Sequence, residues 1–517
     1  MINSRSITLT SVVFCSFAMA KTQHRIVLAE DAPPSTSTAC TYPDGTTPAG
    51  RPELHCYGVP DFLKAYGIDK LQAAGLTGKG QTIILVDSFG SPTAQQDLDH
   101  FSDVYNLPHT TIQYVYPDGQ FVNPMQNSDQ VGWAQETTLD LEWSHAIAPD
   151  ATIVNVISNT SETTGLTGFP DLFKGIDMAR QQYPKGIVSM SFGTGEATFN
   201  ADDIKNYIQG SFHQILQDAT DSGMTLLASA GDSGSTNINL DQTSMTAAPD
   251  AGYPASDPLV TAVGGTSLQA GWTWNPQGTA DDFWKCKLAN NANCPTDFMH
   301  FLSNTNTIIE TVWKEDWALA AGGGGISKIF TAPAYQANLN AQVKKLTKGF
   351  RALPDVSMNA AINGGVNVYT SFSAPDGSVH GPTWQSYGGT SCASPETAAL
   401  VALAGQRASN VLGKQVSIGS LNPVLYNLKS TDFRDIVAQP LGDKNQVVID
   451  NNALYFNKDV LASLGPTRLP PVAVPGYKTT PGYDMATGLG SPKVLSFVNN
   501  LAGASVVRSL ADDLASK

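Results

Sequence analysis

Four short apolar runs, each closed by small or polar residues, constrain this chain more than any other feature. They are QTIILVDSFG (81–90), ATIVNVI (151–157), GIVSMSFG (186–193) and MTLLASAGDSG (224–234). Runs of this length, rich in β-branched residues, read as strands buried on both faces. Helical patterns separate them, over 134–147, 170–182 and 203–223, and LVTAVGGTSL (259–268) adds a further strand. The alternation predicts an α/β fold with a mainly parallel central sheet flanked by helices on both faces. In such a sheet, reactive groups belong at the carboxyl ends of the strands.

A chain of 517 residues can hold one large domain or several. It carries 45 Asp and Glu against 30 Lys and Arg, a formal charge of -15. That balance excludes a nucleic-acid partner, which calls for basic patches. It suits an acidic setting, where protonation of carboxylates relieves self-repulsion. Residues 1–20 read as a secretory signal: one Arg, an apolar run from Ile7, and Ala18-Met19-Ala20 before Lys21. The run is too short to span a membrane, and no other stretch reaches about 20 apolar residues. Residues 21–55 read as an extended leader rich in Thr, Pro and Ser, and 501–517 as a tail. Residues 268–330 and 437–480 are irregular, and no repeat is present. In an exported chain, proximity makes Cys40 and Cys56 one disulfide candidate, and Cys286 and Cys294 another. Cys15 falls in the signal, which leaves Cys392 as an odd thiol.

GGTSCASP (388–395) has the makings of a nucleophile turn: two glycines, then Ser391 where a helix begins, with Pro395 near its start. Taken alone, Ser391 reads equally as a helix cap. None of the eight histidines sits in a Gly-rich turn, and His145 reads as a packing or surface residue. Carboxylates are the other source of a base. In WAQETTLDLEWSHAIAPDA, Glu136 and Asp140 are four apart and share one helix face. Exposed, they form a solvated face. Buried, they share a proton and one pKa rises, giving a base that works in acid. Asp232 closes the strand LLASAGD and is either a turn aspartate or a carboxyl able to donate to an oxyanion.

These segments, with GYPASDPLVTAVGGTSL, GGGGISKIF, LPDVSMNA and PGYDMATGLGSP, resemble the sedolisins, the serine-carboxyl peptidases, over residues 56–500. The resemblance implies a subtilisin-like fold and hydrolysis of protein or peptide substrates. It implies Ser391 as nucleophile, Glu136 as general base, Asp140 as its partner and Asp232 as oxyanion residue. It implies that Ser189–Gly193, through Ser189, Ser191, Phe192 and Gly193, pairs with substrate as an added strand. It also implies one calcium ion on Asp435 and Asp484 with carbonyls of Ile436, Thr480 and Gly482, an all-oxygen set suited to Ca²⁺. The expected product is a secreted, monomeric acid endopeptidase.

Three departures stand out. Gly388 replaces the usual Ser of Ser-Gly-Thr-Ser, and Thr480 replaces a glycine. The segment between the signal and the peptidase domain is too short for the family's usual prodomain. Asp87 lies where subtilisins carry a triad aspartate, although position 136 is then Glu and not His. Two other readings stay open: a secreted binding protein that kept the fold without activity, and a neutral subtilisin-type protease using His145.

Overall fold

The computed structural model describes residues 28–29, 40–44, 46–48, 54–241, 243–276, 279–289, 299–441, 447–464 and 469–515. The expected signal, most of the leader and Cys294 lie outside them. The elements that build the site are, in chain order, β1 (Thr82–Ser88), α1 (Ala94–Tyr105), β2 (Gln113–Val115), α2 (Ser128–Ile147), β3 (Thr152–Ser158), α3 (Phe169–Gln182), β4 (Ile187–Met190), β5 (Thr194–Gly195), α4 (Phe212–Asp221), β6 (Thr225–Ser229), β7 (Gly252–Tyr253), β8 (Thr261–Pro276), β9 (Met299–Val312), β10 (Val356–Asn359), α5 (Thr390–Leu412) and α6 (Val494–Ala515).

The central sheet has the order β9-β8-β6-β4-β1-β3-β2, with β10 also paired to β8. Only β9 runs antiparallel to its neighbour. Alternation along the strands assigns each residue to one of two cores. Ile83, Leu85, Ile153, Ile187 and Leu227 face the core that holds Leu139 and Trp143 of α2 and Leu400 and Leu403 of α5. Ile84, Val86, Val154, Val188, Met190 and Leu226 face the opposite core, with Phe169 and Phe173 of α3 and Phe212 and Leu216 of α4. This is the expected parallel sheet covered on both sides, and it explains the unbroken apolar runs.

Two helices depart from ordinary surface helices. All but the first three residues of α2 are buried, its charged side chains included. Leu139, Trp143, Ala146 and Ile147, an apolar stripe at helical spacing, are therefore only one side of a helix enclosed all round. Helix α6 is long and apolar enough to cross a membrane by length and composition alone. It packs along α5 and buries Val494, Phe497, Val498 and Leu501 in the first core. It also runs through residue 500, so the expected domain boundary falls within a helix. Cys40 bonds to Cys56, and Cys40 and Tyr42 are buried in the same core, which joins part of the expected leader to the domain. Cys286 is disulfide-bonded.

Candidate active site

Strand parity brings the polar residues together. Asp87, at the carboxyl end of β1, continues the Ile83–Leu85 face and points toward α2 and α5. Asn155 on β3 has the same parity and donates from Nδ2 to Asp87 Oδ2 at 2.5 Å. Ser189 and Ser191 continue the face of Ile187. Ser189 Oγ meets Ser394 Oγ of α5 at 2.8 Å. Ser191 Oγ lies 2.9 and 3.2 Å from the two carboxylate oxygens of Asp140. One side of β1, β3 and β4 thus changes from apolar to polar at the carboxyl ends of the strands, under the two buried helices.

Helix α5 starts at Gly389, whose φ of +119° favours glycine. A Cβ on the preceding Gly388 would lie 2.7 Å from the backbone of Ala361 and Ile362. In this chain the position where the family has Ser therefore has no room for a side chain. Thr390 donates its N–H and its hydroxyl to Asp232 Oδ1 at 2.8 and 2.9 Å. It also accepts from Gly231 N–H at 3.0 Å. These bonds fix the turn after β6 against the start of α5. Asp232 Oδ2 is buried and has no hydrogen-bond partner among the described residues. Burial pushes the Asp232 carboxyl up to about 7, against the Thr390 bonds that favour its charged form.

Ser391 is fully buried in the first turn, its Oγ without a partner among the described residues. Its N–H is one of the donors that a helix start leaves without an intrahelical acceptor. Pro395 lies further into the helix than a first-turn proline. From there it withholds the N–H that would otherwise bond the Ser391 carbonyl. Ser191 Oγ stands 3.5 Å from that carbonyl. A single hydroxyl therefore touches both Asp140 and the backbone of Ser391.

Glu136 and Asp140 are buried on one face of α2. Burial raises the Asp140 carboxyl well above its usual range, Asp87 and Glu136 raise it further, and Ser191 opposes the rise. Burial also raises Asp87. Three acids thus crowd into a space that cannot hold three charges. Cys392 is a free, buried thiol. Burial first, then Glu396, Glu136, Asp232 and Asp140, hold it well above its ordinary range. It stays protonated and is not a competing nucleophile. His145 is buried elsewhere, with Nε2–H donating to the Pro108 carbonyl at 2.8 Å and burial lowering its pKa to about 4.

One member of the expected substrate segment, Ser189, needs correction. Ser189 is paired on both sides, to Leu85 and Leu227, and has no backbone edge for an added strand. The Ser191 side chain serves Asp140, and Phe192 packs in the second core. Only the backbone beyond β4 is left for substrate. Near the C-terminus the carboxylates of Asp435 and Asp484 both reach the 480–484 loop. Gly482 N–H donates to Asp435 Oδ2 and Thr480 N–H to Asp484 Oδ2, both at 2.9 Å. Asp484 is nearly buried, burial pushes it up to about 6, and no basic side chain acts on it. Two carboxylates drawn to one loop, one of them without a cationic neighbour, are a donor set that fits a hard divalent ion. Sequence reading treated Asp87 only as a rival triad member; the parity of TIILVD was the signal that ties it to Asp140.

The profile of the subtilase family matches residues 127–418. Kumamolisin from Bacillus sp. (strain MN-32) is 28% identical over 434 residues, 84% of this chain and 61% of the relative. Sedolisin from Pseudomonas sp. (strain 101) is 26% identical over 363 residues, 68% of this chain and 52% of the relative. Tripeptidyl-peptidase sed5 of Aspergillus fumigatus is 26% identical over 400 residues, 73% of this chain and 58% of the relative. The chain thus spans a little over half the length of these curated relatives. Among solved structures, Pseudomonas sedolisin (serine-carboxyl proteinase) complexed with two molecules of pseudo-iodotyrostatin has a similar fold. Its TM-score is 0.59 at 20% identity, covering 87% of this chain and 99% of that one.

Proposed function

We propose that this chain, which belongs to the subtilase family, is a serine-type peptidase of the sedolisin kind that works in acid. One observation carries the reading: the Ser191 hydroxyl reaches both the Asp140 carboxylate and the Ser391 carbonyl, while Thr390 holds Asp232 at the same helix start. Ser391 Oγ attacks the peptide carbonyl and Glu136 takes its proton. Asp140, kept protonated by burial and by its acidic neighbours, leaves the negative charge on Glu136. Neutral Asp232 donates from Oδ2 to the oxyanion, and the Ser391 N–H supplies a second donor. Glu136 then returns its proton to the leaving amine. Water, activated by the same carboxylate, hydrolyses the acyl-enzyme.

Calcium belongs to this reading, held by Asp435 and Asp484 with carbonyls of Ile436, Thr480 and Gly482. Its role is to neutralise two carboxylates and fasten the C-terminal loop, away from the chemistry. Export belongs to it as well, supported by the pattern of residues 1–20 and by the Cys40–Cys56 bond.

The test is a pH–activity profile on denatured casein, with Glu136→Ala and Ser391→Ala as controls. The expected result is a maximum below neutrality, abolished in both variants. A neutral maximum lost on His145→Ala means a subtilisin-type protease instead. No cleavage at any pH, with calcium present, means a binding protein.

A further inference from the structure

The loop 159–168 leaves the carboxyl end of β3, the same rim of the sheet that carries the site. Ser161 Oγ and Thr163 Oγ1 both donate to Asp129 Oδ2, at 2.7 and 3.0 Å. Asp129 lies in the first turn of α2, seven residues before Glu136 and so on the same helix face. The loop is therefore fastened to the face that carries the general base. Its 3₁₀ turn, Glu162–Gly168, packs against β5, the continuation of the 191–193 run. Gly165 meets the facing 237–246 loop, where an added Cβ would stand 2.7 Å from Leu240.

Glu162 lies between the two anchors. It is 1% exposed, and no other described residue hydrogen-bonds either carboxylate oxygen. Burial raises its pKa well above the usual range, and Asp129 and Glu136 raise it further. Its own backbone N–H opposes the rise, and no basic side chain acts on it. A buried carboxyl in this state is costly and stabilises nothing in the resting fold. A metal is not the natural partner. Asp129 Oδ2 is already taken by two hydroxyls, and no group of three or more His, Cys, Asp or Glu among the described residues could hold a metal ion. An organic cation meets the need: an ammonium or guanidinium would bond both oxygens in a field made by acids alone.

We infer that Glu162 is a specificity-determining residue, whose carboxylate receives a cationic group of the bound peptide close to the scissile bond. The group is a lysine or arginine side chain or a free amino terminus, since the two offer the same chemistry. The inference rests on the peptidase reading above. On binding, the cation takes the negative charge of Glu162 and the carboxyl proton passes to solvent, so charge and protons balance.

The test uses the full chain carrying Ser391→Ala, which binds peptide without turnover. Affinities are measured at about pH 5 for three probes: N-acetylated peptides with lysine at successive positions, their norleucine counterparts, and a norleucine peptide with a free amino terminus. One cationic probe should bind about tenfold tighter than its neutral partner, the scale of one charge-assisted hydrogen bond. A lysine probe identifies a side-chain pocket; the free-amine probe identifies an amino-terminal one. Adding Glu162→Gln should bring the pair within about twofold, and Glu162→Asp should keep the preference. Equal binding of all probes overturns the inference, as does a preference that survives Glu162→Gln. Failure of the peptidase reading appears separately: the unmutated chain cleaves none of the probes.

Discussion

At the scale of single residues, Asp232 connects structure to pH most directly. Its proposed role requires the neutral acid, and burial pushes its carboxyl up to about 7. The donor is thus present below about pH 7 and lost as pH rises through it. Asp232→Ala should lower kcat by about 10²–10³, the usual cost of one oxyanion donor. Asp232→Asn keeps a donor but cannot titrate, so its pH profile should lose the fall near pH 7; steady-state rates between pH 4 and 8 check both. Much of the site was legible in the sequence at this scale. The four-residue spacing of Glu136 and Asp140 is a local fact about one helix, and Gly-Gly-Thr-Ser is a local fact about one turn. The clamp between Thr390 and Asp232 was not legible, because 158 residues separate them and no local pattern encodes a contact at that distance.

At the scale of elements, β4 shows how parity decides function. Ile187, Ser189 and Ser191 point to α2 and α5, while Val188, Met190 and Phe192 point away. The run GIVSMSFG reads as a buried strand in sequence, but which of its serines meets a helix depends on what packs on each face. Ser191→Ala removes the hydroxyl that opposes the rise of Asp140's pKa, so that pKa should move higher still. It also leaves a buried carboxyl without this donor, at a cost of about 1–3 kcal/mol. Denaturant unfolding should detect that loss, and kcat should fall with it. Ser191→Thr, which retains the hydroxyl, should recover most of both.

For the whole molecule, buried acids set the response to pH. Asp97 is raised to about 6 and Asp232 and Glu315 to about 7, each mainly by burial. Between about pH 4, where unfolded carboxyls ionise, and these values, the native state holds protons that the unfolded state has lost. Unfolding then releases protons, and stability falls as pH rises across that window. The melting temperature should be higher near pH 4.5 than near pH 7.5; the opposite order would contradict these shifts. At neutral pH, chelation of calcium should lower the melting temperature further, and Asp484→Asn should make the protein indifferent to chelator. The sequence by itself determined the α/β class, the strands and the two helices that carry Glu136, Asp140 and Ser391, because periodicity and turn chemistry are local. Only the tertiary structure decided that the Ser191 hydroxyl meets Asp140, that Asp87 joins the acid cluster and that Glu162 is buried beside Glu136 with no other residue bonding its carboxyl. Those outcomes depend on strand order and on which face each helix covers, and both are settled by packing between distant segments.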